Sequence, residues 1–324
     1  MPFVTALNPP APPRLSIVST LYNSERSLEQ FCARASAAAR DFAEDYEIVL
    51  VDDGSPDASI EIAIALSQAD PHIRVVELSR NYGHHKAMMT GLSHARGDLV
   101  FLVDSDLEED PAWLPAFFGK MKSEGADVVY GVQNRRKGSL GERVGGALFY
   151  ATLNWMLEFP IPRNVITARL MTARYVSQLI RHRDREVCLA ALWVMTGFRQ
   201  VPIIVEKQDH GGTTYGIGQR LSVLVNAVTS FSNRPLVLIF YLGTIIMLTA
   251  AVAGVILVWR VLVHGAGVAG WPSLVVSVWF LGGVTIFCLG VIGMYLSKVF
   301  METKDRPYTV VRAYYPDRGR REDD

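Results

Sequence analysis

The chain has 324 residues, of which 32 are Lys or Arg and 32 are Asp or Glu, so its formal net charge is zero. That balance argues against a nucleic-acid partner, whose binders carry a basic excess. Half the residues are hydrophobic and 20% are charged, which excludes a disordered chain. The charges are unevenly spread: over the 63 residues from Pro235 to Ser297 the only one is Arg260. An ordinary globular part is followed by a segment unsuited to water.

Residues 1–14 form a Pro-rich tail with no apolar stretch of signal-peptide length. Residues 15–215 then alternate two periodicities. Leu15–Thr20 reads as a strand, Ser24 to Glu44 as a helix with Leu28, Phe31, Cys32 and Ala35 on one face, and Tyr46–Val51 as a second strand. A helix over Ser59–Gln68, a strand over Ile73–Leu78, a helix over Lys86–Ala95, and strands over Leu99–Val103 and Ala126–Tyr130 follow. This alternation predicts an α/β domain with a doubly wound, mostly parallel sheet, whose ligands bind beyond the carboxyl ends of the strands.

Residues 216–234 place Ile217, Leu221, Leu224, Val225, Val228 and Phe231 at helical spacing opposite polar residues. This pattern predicts an amphipathic juxtamembrane helix, although a globular surface helix has the same pattern. Residues 235–297 contain two charge-free runs, Leu236–Trp259 of 24 residues and Trp271–Ser297 of 27. Each exceeds the roughly 20 residues that span a bilayer, so a transmembrane hairpin is expected, with a buried soluble hairpin as the alternative. Arg220 and Arg234 precede the first run and Lys298, Lys304, Arg306 and Arg312 follow the second, whereas the connector holds only Arg260. By the positive-inside rule both termini are cytoplasmic, as in a multi-pass protein of the inner (plasma) membrane, with 298–324 a cytosolic tail. Cys32, Cys188 and Cys288 lack metal-ligand spacing and read as packing residues.

Two acidic groups close predicted strands. Asp104 and Asp106 flank Ser105 after the fourth, and side chains two apart in an extended segment point the same way. Two such carboxylates repel unless a divalent cation joins them, and hard oxygen ligands suit Mg²⁺ or Mn²⁺. A solvated acidic turn is the plainer reading, with Glu108, Glu109 and Asp110 adjacent. Asp52-Asp53-Gly54-Ser55 ends the second strand and serves equally as a turn and helix cap or as an acceptor for nucleoside N–H and hydroxyl groups.

The ordered set LSIVSTLYNSERSL, EIVLVDDGSPDAS and LSRNYGHHKAMMTGLSHARGDLVFLVDSDLEEDP resembles the inverting family 2 glycosyltransferases with a GT-A, nucleotide-diphospho-sugar-transferase-like domain. Two C-terminal spans narrow the likeness to the polyprenyl-phosphate branch, similar to dolichyl-phosphate mannose synthase and bacterial undecaprenyl-phosphate sugar transferases. The resemblance implies that Tyr22, Asn23, Glu25, Asp52 and Asp53 hold the nucleoside of a UDP-, dTDP- or GDP-linked sugar. It implies further that Arg80 and Lys86 face the diphosphate and that Asp104 and Asp106 hold the bridging metal. His84 and His85 read as exposed loop residues. A homo-oligomer joined through the membrane parts is also implied.

Two positions depart from the family pattern. Thr167-Ala168-Arg169-Leu170 stands where the family commonly has Asp-Phe-Arg-Leu, and Gly211-Gly212-Thr213-Thr214-Tyr215 lacks the family's Lys. An alcohol acceptor needs a general base, but a phosphomonoester, with a second pKa of about 6, is already anionic at neutral pH. Arg169 then positions the acceptor phosphate together with Arg135, Arg136, Lys137, Arg143 or Lys207, although Arg135–Lys137 also fits a solvated loop. Glu206 and Asp209 are the candidate bases for an alcohol acceptor. Gln178-Leu179-Ile180-Arg181-His182 is the nearest approach to the Gln-x-x-Arg-Trp of processive polysaccharide synthases and lacks the Trp. A processive synthase and an inactive membrane-anchored relative are therefore the alternatives.

Overall fold

The computed structural model describes residues 14–133, 155–156, 162, 164–184, 188–207, 225, 228–229, 232–264, 270–304 and 306–316. The β-rich runs form β1 (Leu15–Leu21), β2 (Tyr46–Asp52), β3 (Ile73–Leu78) and β4 (Leu99–Leu102). Every residue of β1 and β2 is buried, because helices cover both faces of the sheet and leave no polar side for alternation. On one face α1 (Leu28–Phe42) and α4 (Leu114–Glu124) press Phe31, Ala35 and Phe117 onto Ile17, Leu50 and Phe101. On the other, α3 (His84–His94) packs Gly91 so closely that an added Cβ would lie 2.6 Å from Val18. α2 (Ser59–Ala69) follows β2.

The remaining strands are β5 (Val128–Gln133), β6 (Val165–Thr172), β7 (Gln200–Val205) and β8 (Val311–Tyr315), with short helices α5 (Ala173–Leu179) and α6 (Leu189–Met195) between β6 and β7. The sheet order is β7-β5-β6-β4-β1-β2-β3-β8. β1 pairs in parallel with β2 and β4, β2 with β3, and β5 with β7, whereas the β4–β6, β5–β6 and β3–β8 pairs are antiparallel. The expected mostly parallel sheet is thus a mixed one. β5 and β4 share a direction, and β6 enters the sheet at the end where β5 leaves it, so it runs back between them.

A second correction concerns 298–324. Residues up to Thr303 continue a helix, and Val311–Tyr315 is a strand on β3 rather than a tail. Arg312 donates to Glu77 Oε1 at 2.9 Å and Tyr315 Oη to Glu77 Oε2 at 3.1 Å, which fixes that edge.

The chain divides into two compact units, the sheet unit and a second made of Val144–Pro160 and Tyr215–Asp305. The second holds α7 (Arg234–His264), which extends beyond its expected apolar run at both ends, and α8 (Trp271–Thr303), which extends beyond its run at the carboxyl end. Tyr295 Oη donates to the Ser232 carbonyl at 2.6 Å, joining α8 to the segment before α7. Both helices expose large apolar side chains, Leu262 at 77% and Trp279 at 78%. Among the described residues one helical segment, Ser277–Thr303, is long and apolar enough to cross a membrane. The expected amphipathic helix lies almost wholly outside the described residues.

At the amino-terminal end of the sheet, Glu47 is 2% exposed and fully engaged. It accepts from Ser16 Oγ (2.8 Å), Arg74 Nη1 (2.8 Å), Arg96 Nη2 (2.7 Å) and the Arg96 backbone N–H (2.8 Å). Burial alone would raise its pKa, but the bonds from Arg96, Ser16 and Arg74 outweigh it and hold the carboxyl below its ordinary value. Its stabilisation is therefore present at neutral pH and fades as pH falls through the acid range below that ordinary value. Glu47→Gln leaves two guanidinium groups short of a counter-charge and is expected to cost about 3 kcal/mol in thermal unfolding, with a flatter acid limb than the wild type.

Candidate active site

The carboxyl ends of β1, β2, β3 and β4 share one edge of the sheet, and the residues after them fold over it. Ser24, expected inside the first helix, instead serves this edge, and α1 starts four residues later. Its backbone N–H donates to Ser59 Oγ at 2.8 Å, and its hydroxyl lies 3.2 Å from Ser105 Oγ. Ser105 also donates to the Thr20 carbonyl at 2.8 Å. The middle residue of Asp-Ser-Asp thus turns inward and ties the end of β4 to the end of β1.

Asp53 is buried and gives both oxygens to backbone amides of the loop after β3, accepting from Tyr82 N at 2.7 Å and Gly83 N at 2.9 Å. It thereby shapes the loop that carries Arg80 and opens α3. Asp52 Oδ2 accepts from Gly54 N (3.1 Å) and Ser55 N (3.3 Å), whereas its Oδ1 is buried without a partner. Burial raises the pKa of both carboxyls. Gly54 has φ +66°, and an added Cβ would lie 2.7 Å from Asn81 N and 2.8 Å from Arg80 C, so only glycine lets the two loops meet. Glu25 Oε2 accepts from Ala58 N at 3.3 Å while its own N–H donates to Asp57 at 3.1 Å, a reciprocal clasp between the loops after β1 and β2. Tyr22 is half exposed, and Asn23 next to it adopts φ 55°, the left-handed turn that asparagine tolerates.

Asp104 Oδ1 is buried and accepts no hydrogen bond, though His84 Nε2 approaches it to 3.4 Å. His84, read from the sequence as an exposed loop residue, begins α3 and sets its Nδ1 3.0 Å from Thr20 Oγ1. Burial would lower its pKa, but the adjacent Asp104 carboxylate raises it. Asp106 accepts from Glu108 N at 2.9 Å, and its pKa is raised, first by desolvation and then by the Asp104 charge among others. Lys207, at the carboxyl end of β7, pairs with Glu108 at 2.7 Å, and the charges of Glu109 and Asp106 also act on it. Four acidic side chains and one lysine are therefore gathered beside one strand end.

Glu109 is the group that sequence reasoning missed. It is fully buried and bridges two elements, accepting from Thr167 N at 3.0 Å and Asp104 N at 3.4 Å. Burial, with Asp104's charge second, lifts its pKa to about 8. A carboxyl thus lies at Thr167, where the family pattern has an acid, but bonded to backbone amides rather than open to an acceptor.

Arg169 is not at the surface of the site. It is 1% exposed, its guanidinium donates to the carbonyls of Thr167 (3.2 Å) and Ile166 (3.4 Å), and it lies against the Trp193 ring. Burial lowers its pKa to about 9, leaving it a charged core residue behind the acidic loop. Arg80 stacks over Tyr82 at 4.1 Å and Lys86 lies 5.7 Å from the Tyr308 ring. Arg181 donates to Gln178 Oε1 at 3.3 Å at the end of α5. Arg135, Arg136, Arg143, Asp209 and the Gly211–Tyr215 stretch lie outside the described residues.

Acidic strand ends on an α/β sheet, with the loops after β1, β2, β3 and β4 converging on them, match a known group. Residues 16–183 match the model of Glycosyl transferase family 2. The chain belongs to this family and is a glycosyltransferase. It is 52% identical to a protein of Mycobacterium tuberculosis named among glycosyltransferases, over 93% of this chain and 88% of that one. It is 31% identical to the SfII prophage-derived bactoprenol glucosyl transferase of Shigella flexneri, over 92% of this chain and 97% of that one. Among solved structures, glucosyl-3-phosphoglycerate synthase from M. tuberculosis aligns with a TM-score of 0.45 and 19% identity, covering 67% of this chain and 79% of that one. That overlap adds nothing to what this chain's own sheet shows.

The contact at Gly54 makes its own prediction. Gly54→Ala is expected to destabilise the protein by about 1–3 kcal/mol, since both the backbone angle and the approach to Arg80 are strained. Amide hydrogen exchange at Tyr82 and Gly83 is expected to quicken as the loop parts from Asp53.

Proposed function

We propose that this glycosyltransferase moves a sugar from a nucleotide-sugar donor to a polyprenyl phosphate at a membrane surface, inverting the anomeric carbon. The observation that carries the reading is the Asp104–Asp106 pair at the end of β4, with one buried oxygen that accepts no hydrogen bond and Lys207 beside it. The bactoprenol glucosyl transferase that aligns along almost its whole length supports the lipid acceptor.

Asp104 and Asp106 fit a divalent cation, Mg²⁺ or Mn²⁺. Asp104 Oδ1 is buried and accepts no hydrogen bond, with the His84 ring 3.4 Å away, and desolvation followed by the Asp104 charge raises the Asp106 pKa. No three His, Cys, Asp or Glu side chains among the described residues are placed to hold a metal ion together, so a cation on Asp104 and Asp106 would draw its other ligands from phosphate oxygens and water. When bound, such a cation offsets charge on the diphosphate leaving group. Asp53 holds the loop that brings Arg80 and Lys86 toward the same edge, and Lys207 adds an ammonium next to the acid pair.

In the transfer, an oxygen of the lipid phosphate forms the new bond to the anomeric carbon. The bond from that carbon to the nucleotide diphosphate breaks on the opposite side, and the departing oxygen keeps the electron pair. No proton has to be removed from a phosphate that is already ionised. A site with Thr167 in place of an acid, and with the nearby Glu109 bonded to backbone, accords with such an acceptor.

The membrane assignment rests on the exposed apolar surfaces of α7 and α8. β8 follows α8 in the chain yet belongs to the same sheet as β1–β7, so a chain that crosses a bilayer through α7 must recross through α8. On this reading the basic flanks stay inside, and the sheet faces the cytoplasm at the inner membrane.

The test is turnover by the purified full-length chain with UDP-, dTDP- and GDP-sugars and undecaprenyl phosphate. Lipid-linked sugar is expected, lost on chelation with EDTA and restored by Mg²⁺ or Mn²⁺. Asp104→Asn and Asp106→Asn are expected to lower kcat/KM by about 100-fold or more. Absence of product with every donor, or variants as active as wild type, would overturn the assignment.

A further inference from the structure

Buried side-chain polar atoms without hydrogen-bond partners are few among the described residues. Asp52 Oδ1, Ser55 Oγ and Asp104 Oδ1 lie at the substrate edge, while Ser19 Oγ and Trp193 Nε1 lie within β1 and α6. The remaining one is Tyr308 Oη, in the segment between α8 and β8.

The topology carries Tyr308 to the same edge. Val311 pairs with Leu78, the last residue of β3, and the two strands are antiparallel, so the residues before Val311 run past the carboxyl end of β3. Two contacts hold them there. Ser79 N donates to the Val310 carbonyl at 2.9 Å, and Thr309 Oγ1 lies 2.8 Å from Thr90 Oγ1 of α3. Lys86, in the first turn of α3, sets its ammonium 5.7 Å from the Tyr308 ring centroid.

Burial first, and the Asp184 charge second, raise the Tyr308 pKa, so the phenol keeps its proton and serves as a donor at neutral pH. A buried donor with no acceptor carries a desolvation penalty that folded proteins seldom tolerate outside functional sites. Beside an ammonium group, the missing acceptor is best supplied by an anionic oxygen.

We propose that Tyr308 Oη donates to a phosphate oxygen of a substrate bound beside Lys86, so that the segment following the apolar hairpin completes the substrate site. The proposal rests on the transfer reaction above. The phosphate belongs either to the nucleotide diphosphate or to the lipid, two sources of the same chemistry.

Tyr308→Phe in the full-length chain removes the hydroxyl and keeps the ring. Three quantities test it: the thermal midpoint of the unliganded protein, the Kd with Mn²⁺ for whichever of UDP, dTDP or GDP the wild type binds, and the KM for undecaprenyl phosphate. The midpoint is expected to be no lower than wild type, because the lost hydroxyl had no partner. One of the two ligand constants is expected to rise about tenfold or more. A rise in Kd alone assigns the nucleotide diphosphate, and a rise in KM alone assigns the lipid phosphate. Both constants unchanged, or a lowered midpoint, overturns the proposal. Thr309→Val removes the neighbouring bond to Thr90, so it is expected to lower the midpoint and leave both constants within about twofold. If it shifts them as Tyr308→Phe does, the effect comes from the fold of the segment and the proposal fails. A wild type that binds no nucleotide and turns over no lipid sinks the parent reading instead.

Discussion

Asp53 joins the end of β2 to the loop after β3 through two backbone amides, and the arrangement of the site follows from bonds of that kind. Loops beyond the carboxyl ends of parallel strands carry N–H groups that no sheet ladder satisfies. Here carboxylates accept from them: Asp52 from Gly54 and Ser55, Asp53 from Tyr82 and Gly83, Asp106 from Glu108, Glu109 from Thr167. The loops are thereby held without secondary structure of their own. The consequence is a set of carboxyls withdrawn from water, and burial raises the pKa values of Asp52, Asp53, Asp106 and Glu109, with the Asp104 charge adding to it at Asp106 and Glu109.

The two ends of the sheet use one side-chain type in opposite ways. At the amino end Glu47 meets two guanidinium groups, a hydroxyl and a backbone amide, and its carboxyl is fully neutralised. At the carboxyl end, Asp52 and Asp104 each leave one buried oxygen without a hydrogen bond. Satisfied groups make a rigid base, and unsatisfied groups mark where chemistry is to be supplied from outside. Arg169 belongs to the first kind despite its place in a family motif, since carbonyls and the Trp193 ring already occupy its guanidinium.

The apolar hairpin is bracketed by elements of one sheet, with β7 before it and β8 after it in the chain. β8 closes the β3 edge with charged and tyrosyl anchors on Glu77, which also blocks that edge from pairing with another chain. Of the residues after the hairpin, Arg306–Tyr315 therefore belong to the sheet unit rather than forming a tail.

Local periodicity determined much by itself. The β-rich runs of β1–β4, the acidic groups closing β2 and β4, and the charge-free stretch from Pro235 to Ser297 need only neighbouring residues to be recognised. The strand order was not legible, because nothing in Val165–Thr172 or Val311–Tyr315 states which distant strand each will pair with, or in which direction. Nor was the division of labour among the acids. Asp53 meets partners 29 and 30 residues away, Glu109 one 58 residues away, and His84 one 64 residues away. Residue type says that a carboxylate can accept hydrogen bonds. Only the tertiary structure decides which of its oxygens already has a donor and which remains open to a substrate, because those donors come from segments far apart in the chain.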